Sequence, residues 1–254
     1  MVATSEPQSR PRPGPGVGRD LSVEQELACA LRILAHEGWQ ENMSGHITWV
    51  ADEPGRPSMW VNPWGKWWQE VQASDIVRVD LEGDVVSGRW DVTPAVFLHT
   101  ELHRARADAR VIVHGHPYYA TVLAGIGELP RIIHQNSCIF DGELGLVHEY
   151  DGSIETASAG ARLADRVGSA SGVLLVNHGA IVTAPTIQEA CYKAACFERM
   201  CRFTYDTIAA GRVPVPIPAG ARAAVKPALQ QNTPQAYWDG AVRQLLRDEP
   251  EVLA

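Results

Sequence analysis

Val111-Ile112-Val113-His114-Gly115-His116-Pro117 is the stretch from which the fold of this 254-residue chain is read. Val111 to Val113 is a β-branched, apolar run of the kind a buried strand uses. Gly115 and Pro117 punctuate it, so the strand ends near His116. Residues i and i+2 of a strand point to the same face, which sets His114 and His116 side by side. A second run, Gly172-Val173-Leu174-Leu175-Val176-Asn177, is also apolar and leads into His178-Gly179. If both strands end at one rim, His178 joins the first pair. Two readings stand at this point. The histidines are hydrogen-bonded rim residues, or they are three neutral imidazoles with an open position, the donor set of a catalytic Zn, Mn or Fe site.

Outward from this core, composition narrows the possible functions. At 45% hydrophobic and 20% charged residues, the chain can build the core of one large domain or two small ones. A formal net charge of −8 argues against nucleic-acid and anionic-membrane partners. The sequence has no uninterrupted apolar run long enough to span a membrane and no apolar secretory leader. Its five cysteines have no framework spacing, and Cys191, Cys196 and Cys201 spread around a helical segment. Free thiols and a reducing, cytoplasmic setting are the expectation.

Residues 1–19, rich in Pro, Gly, Ser and Arg, read as a disordered tail. Ser22 and Gln25 form a capping-box pattern opening a helix that Gly38 stops. Strands are expected over Met43–Val50 (after a turn), Met59–Val61 and Ile76–Asp80, with a loop over 52–58 and a turn at Asn62-Pro63-Trp64-Gly65. Pro94 opens a helix on which His99 and His103 share a face, either as a metal pair or as polar contacts lining a packed helix. Tyr118–Leu123 is helical, and Arg131–Asn136 reads as a short strand. Helices follow over 155–169 and from Thr186 to about Ala210. Pro214, Pro216 and Pro218 mark a linker before one or two final helices. Strands and helices alternate, with hairpin-like pairs near the front, so the class is α/β with a mixed or antiparallel central sheet covered by helices.

Gly45-His46-Ile47-Thr48, Asn62-Pro63-Trp64-Gly65, Phe97-Leu98-His99-Thr100-Glu101, Val113-His114-Gly115-His116-Pro117 and Leu175-Val176-Asn177-His178-Gly179 together resemble the class II aldolase/adducin family over about residues 22–210. The resemblance implies a three-layer α/β/α sandwich with a mixed, largely antiparallel sheet. That domain would span residues 20–211, with the proline-rich linker and C-terminal helices of 212–254 packed on it. It also implies a divalent metal (Zn, Mn, Fe or Co) on His114, His116 and His178, and a homotetramer with sites between subunits.

The departures from the family pattern bear on chemistry. The aldolases carry an acid/base glutamate where this chain has Ala95. Their hydroxyl-rich phosphate turns fall at Gly45-His46, Trp64-Gly65 and Thr93-Pro94, and the tyrosine a neighbouring subunit lends falls at Gln135. Much of a phosphate cradle is thereby lost. Trp60, Trp64, Trp67 and Trp68 crowd the substrate turn; packing accounts for most such aromatics, and the cluster also suits a flat, apolar acid. The expected activity is non-oxidative, metal-dependent decarboxylation of a hydroxylated aromatic or heteroaromatic carboxylic acid. The proton donor would be His46 or His134, since an imidazole titrates near neutral pH. Asn62, Trp64, Gln135 and Asn136 would contact the substrate. Alternatives are a non-haem iron oxygenase of an aromatic oxo acid, a class II aldolase of a non-phosphorylated substrate, and an adducin-like structural module, against which the three retained histidines argue.

Overall fold

The computed structural model describes residues 14, 16, 17, 20–51 and 57–254, so most of the expected tail and most of the 52–58 loop lie outside the described residues. Eight strands form one sheet: β1 (His46–Ala51), β2 (Ser58–Val61), β3 (Val77–Asp80), β4 (Val85–Ser87), β5 (Val111–Gly115), β6 (Leu144–Val147), β7 (Gly172–Leu175) and β8 (Gly179–Ala184). Their order is β4-β3-β2-β1-β5-β8-β7-β6. Every neighbouring pair is antiparallel except β6–β7. The helices are α1 (Val23–His36), α2 (Phe97–Ala105), α3 (Tyr118–Gly125), α4 (Ala157–Val167), α5 (Ile187–Ala209), α6 (Ala219–Gln231) and α7 (Thr233–Asp248).

β5 lies inside the sheet and is buried along its whole length, which is why it reads as continuous rather than alternating apolar sequence. The period of two still sorts its side chains. Val111 and Val113 join the core under α1, α3, α5 and α7, with Leu31, Leu123, Phe197 and Trp238. Ile112 joins the opposite core, with Leu98 and Leu102 of α2 and Leu163 of α4. Helices on both faces of one sheet make the three-layer α/β/α sandwich. His114, in step with Ile112, therefore faces α2.

Local signals agree with this arrangement at several points. Ser22 and Gln25 form the capping box at the start of α1. The C-terminal segment packs on the same body: Trp238, Val242 and Leu245 are buried in the α1/α5 core, and Arg32 pairs with Glu249 at 2.7 Å and Glu251 at 2.6 Å. All five cysteines are buried and none is in a disulfide. No helix among the described residues is long and apolar enough to cross a membrane.

One expected strand is absent. Residues 131–136 make no strand, and a 3-10 helix runs from Gln135 to Phe140. The backbone partners a strand would take from the sheet come from elsewhere. The Arg131 N–H donates to Thr204 Oγ1 at 2.8 Å, and the Ile132 carbonyl accepts from Ile217 N–H in the linker at 2.8 Å. Tertiary contacts override a β-branched local preference here.

α2 and α4 cross so closely that only glycine fits at position 160. A Cβ there would lie 2.3 Å from the Phe97 carbonyl oxygen and 2.8 Å from Glu101 Cγ. Alanine is the better helix former by about 1 kcal/mol, yet this clash involves backbone that cannot turn away. Gly160→Ala is therefore expected to lower stability by about 1–3 kcal/mol, the usual cost of overpacking. Denaturant melts of the two proteins check this, and a stabilised variant would contradict it.

Candidate metal centre and its cavity

Three local features bring His114, His116 and His178 to one rim. β5 delivers His114 at its end and His116 just beyond. β7 stops at Leu175, two residues before the sequence suggests, because Asn177 enters the left-handed region (φ 59°) and the His178 N–H closes a turn onto the Leu175 carbonyl at 3.0 Å. The resulting hairpin of β7 and β8 carries His178 back beside β5. Gly179 is needed for that approach, since a Cβ there would sit 2.5 Å from the Gly115 carbonyl oxygen and 2.6 Å from His116 Cδ2. One ring nitrogen from each histidine then lies within 4.8 Å of the others. Ring centroids are 4.9 Å apart for His114 and His178, 5.2 Å for His116 and His178, and 5.4 Å for His114 and His116.

Hydrogen bonds fix which nitrogens are free. His114 Nδ1 faces the Ala180 carbonyl at 3.0 Å, and a carbonyl only accepts, so Nδ1 carries the proton. His116 Nδ1 likewise donates to the Glu41 carboxylate at 2.7 Å. In both rings the Nε2 lone pair is left over, and His116 Nε2 is buried without a partner. Burial pushes His114 well below the ordinary imidazole value and brings His178 down to about 4. Neutral rings with unengaged Nε2 lone pairs fit a borderline-soft divalent cation.

His46 stands opposite His114 in the β1–β5 ladder, with ring centroids 5.8 Å apart. Burial, with His116 and His178 nearby, lowers its pKa to about 3. The turn before it is tightly seated. Gly45 has φ 92°, and a Cβ there would meet the His114 carbonyl oxygen at 2.9 Å. Asn62 Nδ2 and Trp68 Nε1 both donate to the Gly45 carbonyl at 3.2 Å, while Asn62 Oδ1 accepts from Ile47 N–H at 2.9 Å.

A chain of buried polar groups lies behind His46. His103 Nδ1 donates to the Ala109 carbonyl at 2.7 Å, so its Nε2 accepts from the Thr48 hydroxyl at 2.9 Å. With that proton used, the Thr48 oxygen accepts from His99 Nδ1 at 2.7 Å. His99 Nε2 remains as a buried lone pair without a partner, its ring 5.5 Å from that of His46. Burial holds His99 well below and His103 at about 4, so both are neutral. The shared helix face of these two residues serves a polar chain running through Thr48.

The histidines open into a cavity of about 310 Å³ whose wall includes Met43, Trp64, Thr93, Ala95, Leu98, Tyr150 and Ile154. His46 and Trp64 thus lie where the sequence suggests. Asn62 does not: it is 2% exposed and both ends of its amide are engaged by backbone. His134, Gln135 and Asn136 do not line this cavity. His134 packs edge-on against Phe203 at 5.0 Å, its pKa lowered by burial and by Arg199. Of the four clustered tryptophans, Trp64 reaches the cavity, Trp68 is core, and Trp60 packs under the Arg78 guanidinium 5.6 Å away. Thr93 stands at one of the turns the family resemblance marks, whereas Tyr150 and Glu41 are not legible in the sequence. Tyr150 follows a strand, β6, whose Leu-Gly-Leu-Val sequence gives little signal, and Glu41 sits in an irregular turn.

Similarity to known proteins agrees with this construction. The fold superposes on an L-fuculose 1-phosphate aldolase from Glaciozyma antarctica PI12 with a TM-score of 0.80, at 26% identity, covering 96% of this chain and 97% of that one. The sequence is 30% identical over 195 residues to a 4-hydroxy-3-prenylphenylpyruvate oxygenase/4-hydroxy-3-prenylbenzoate synthase of Streptomyces roseochromogenus subsp. oscitans, covering 76% of this chain and 70% of that protein. It is 29% identical to the decarboxylase NovR of Streptomyces niveus, covering 76% and 72%. Residues 25–205 match the model of the Class II Aldolase and Adducin N-terminal domain, and the chain belongs to the class II aldolase and adducin family.

Proposed function

We propose that this protein is a divalent-metal-dependent, non-oxidative decarboxylase of a hydroxylated aromatic or heteroaromatic carboxylic acid. The observation that carries the reading is Ala95. It lines the same cavity as the three histidines, at the position where the aldolases place their acid/base glutamate. The ligand set is kept while the aldol acid/base is lost. Trp64, Leu98, Met43 and Ile154 give the cavity apolar wall against which a flat ring can lie. The name of one Streptomyces relative, the decarboxylase NovR, points in the same direction.

His114, His116 and His178 would hold Zn, Mn, Fe or Co through ring nitrogens. Such an ion supplies Lewis-acid polarisation of adjacent substrate oxygens and a sink for the electron pair left when CO2 departs. His46 and Tyr150 are the titratable side chains of the cavity wall outside the triad. His46 is less exposed than Tyr150 and is the residue assigned to hold the proton delivered to the carbon that loses CO2, a role that requires the negative charge of the bound acid to raise its pKa from about 3. Gln135 occupies the family position of the residue lent by a neighbouring subunit. In a homotetramer it and Asn136 would orient the substrate carboxylate in the next copy's cavity, which accounts for their place outside their own. A second reading, an Fe(II) oxygenase of an aromatic oxo acid, has specific support in the name of the 30% identical relative.

The test is a substrate panel. Metal-replete protein is offered ortho-hydroxylated aromatic acids and hydroxyketone phosphates, with CO2 and aldehyde release both followed. CO2 from the aromatic acids alone is the expected result. Aldehyde from the phosphates alone would overturn the assignment.

A further inference from the structure

We infer that Glu41 is a positioning residue for the metal-binding form of His116, restoring from outside the ligand set a carboxylate that position 95 does not provide within it. The inference rests on the metal-binding reading of the triad. Glu41 Oε2 accepts from His116 Nδ1 at 2.7 Å, and the two residues are 75 positions apart in sequence. A carboxylate can only accept, so it pins the proton on Nδ1 and reserves the Nε2 lone pair for the cavity side. A negative charge on that proton also makes the ring a better donor at the other end. His114 receives its orientation from a neutral carbonyl, that of Ala180. Of the two Nδ1 hydrogen bonds that orient His114 and His116, the one from His116 to Glu41 is therefore the bond to an anion.

The competing explanation is a surface ion pair of little consequence, since the Glu41 side chain is 56% exposed. The segment around it argues otherwise. Trp39 is fully buried, its Nε1 donating to the Ala194 carbonyl at 2.9 Å. Gln40 Oε1 accepts from Gln69 N–H at 3.0 Å. Asn42 adopts φ 46° and its Oδ1 accepts from both Ser44 N–H and Ser44 Oγ–H, while Ser44 N–H also reaches the Glu41 carbonyl at 3.0 Å. A side chain on so fixed a turn loses little further freedom in meeting His116. His116 in turn holds a buried Nε2 with no partner, an arrangement that is costly unless something else binds that lone pair.

Glu41→Gln keeps the shape and removes the charge, and its amide can hydrogen-bond either tautomer; Glu41→Ala removes the contact. Affinity for Co²⁺ is measured by competition with a chromophoric chelator, alongside the visible spectrum of the Co²⁺ protein and the melting temperature of metal-free protein. The expected result is Co²⁺ affinity weaker by about 10–100-fold, more so for Ala than for Gln, with a shifted Co²⁺ spectrum and an unchanged metal-free melt. Affinity and spectrum within twofold of the parent protein in both variants would overturn the inference while leaving the triad intact. Weaker binding that merely follows a lowered metal-free melt would also overturn it, because Glu41 would then be scaffold alone. Failure of the parent protein to bind Co²⁺ would overturn the triad reading and this inference with it.

Discussion

His178→Ala is expected to abolish metal retention and activity while leaving the protein folded. His178 sits in the hairpin turn between β7 and β8 and not in a strand, so its ring can be removed without opening the sheet. Its backbone contribution to the turn, the N–H to Leu175, survives in alanine. The remaining pair, His114 and His116, offers two nitrogens where a catalytic site of this type uses three protein ligands. Loss of a direct ligand should exceed the ~10–100-fold affinity loss typical of an outer hydrogen-bond partner, and turnover should fall at least as far. Metal analysis after gel filtration and a thermal melt of the metal-free proteins check both halves. Full metal occupancy in the variant would refute the site. Loss of folding would place His178 in the scaffold.

Ala95→Glu is expected to have the second large effect, and in opposite directions on its two readouts. The new carboxylate would enter the cavity that holds the triad, His46 and Trp64. Metal retention should hold or improve, because an extra oxygen donor is offered. Binding of the aromatic acid should weaken. Two carboxylates about 4 Å apart at an effective dielectric near 20 repel by about 4 kcal/mol, unless one takes up a proton. That corresponds to a fall in acid affinity on the order of 1,000-fold. Metal occupancy, decarboxylation rate against acid concentration, and aldol cleavage of a sugar-phosphate panel are the measurements. Strong aldolase activity with undiminished acid affinity would show that position 95 does not select the substrate.

The parts of this molecule that could be read in advance are those whose cause is local. β5 announces itself because an interior strand is apolar on both faces and Gly115 and Pro117 end it. The capping box at Ser22 and Gln25 is likewise a contact within four residues. Strand pattern alone suggests that two strand-end histidines and a His-Gly turn share one rim, as they do; that they form a metal triad is what the family resemblance implies. What could not be read depends on distant partners. Residues 131–136 have strand composition, yet Thr204 and Ile217 take up their backbone groups. Asn62 has the right chemistry to touch a substrate, but the Gly45-His46 turn uses both ends of its amide. His99 and His103 share a helix face as their spacing requires, but their partner, Thr48, comes from β1. Glu41 belongs to an irregular turn, and its meeting with His116 follows only from the folded sheet.

The central claim is that metal on this histidine rim removes CO2 from an aromatic acid without oxidising it. Its most direct test is CO2 release from an ortho-hydroxylated aromatic acid under strict exclusion of O2, with protein stripped by chelator and then restored with one equivalent of divalent metal per chain. The account predicts no turnover after stripping, recovery on metal addition, and the same rate with or without O2. CO2 release that appears only when O2 is supplied, with O2 consumed in proportion, would contradict it and establish the oxygenase reading instead.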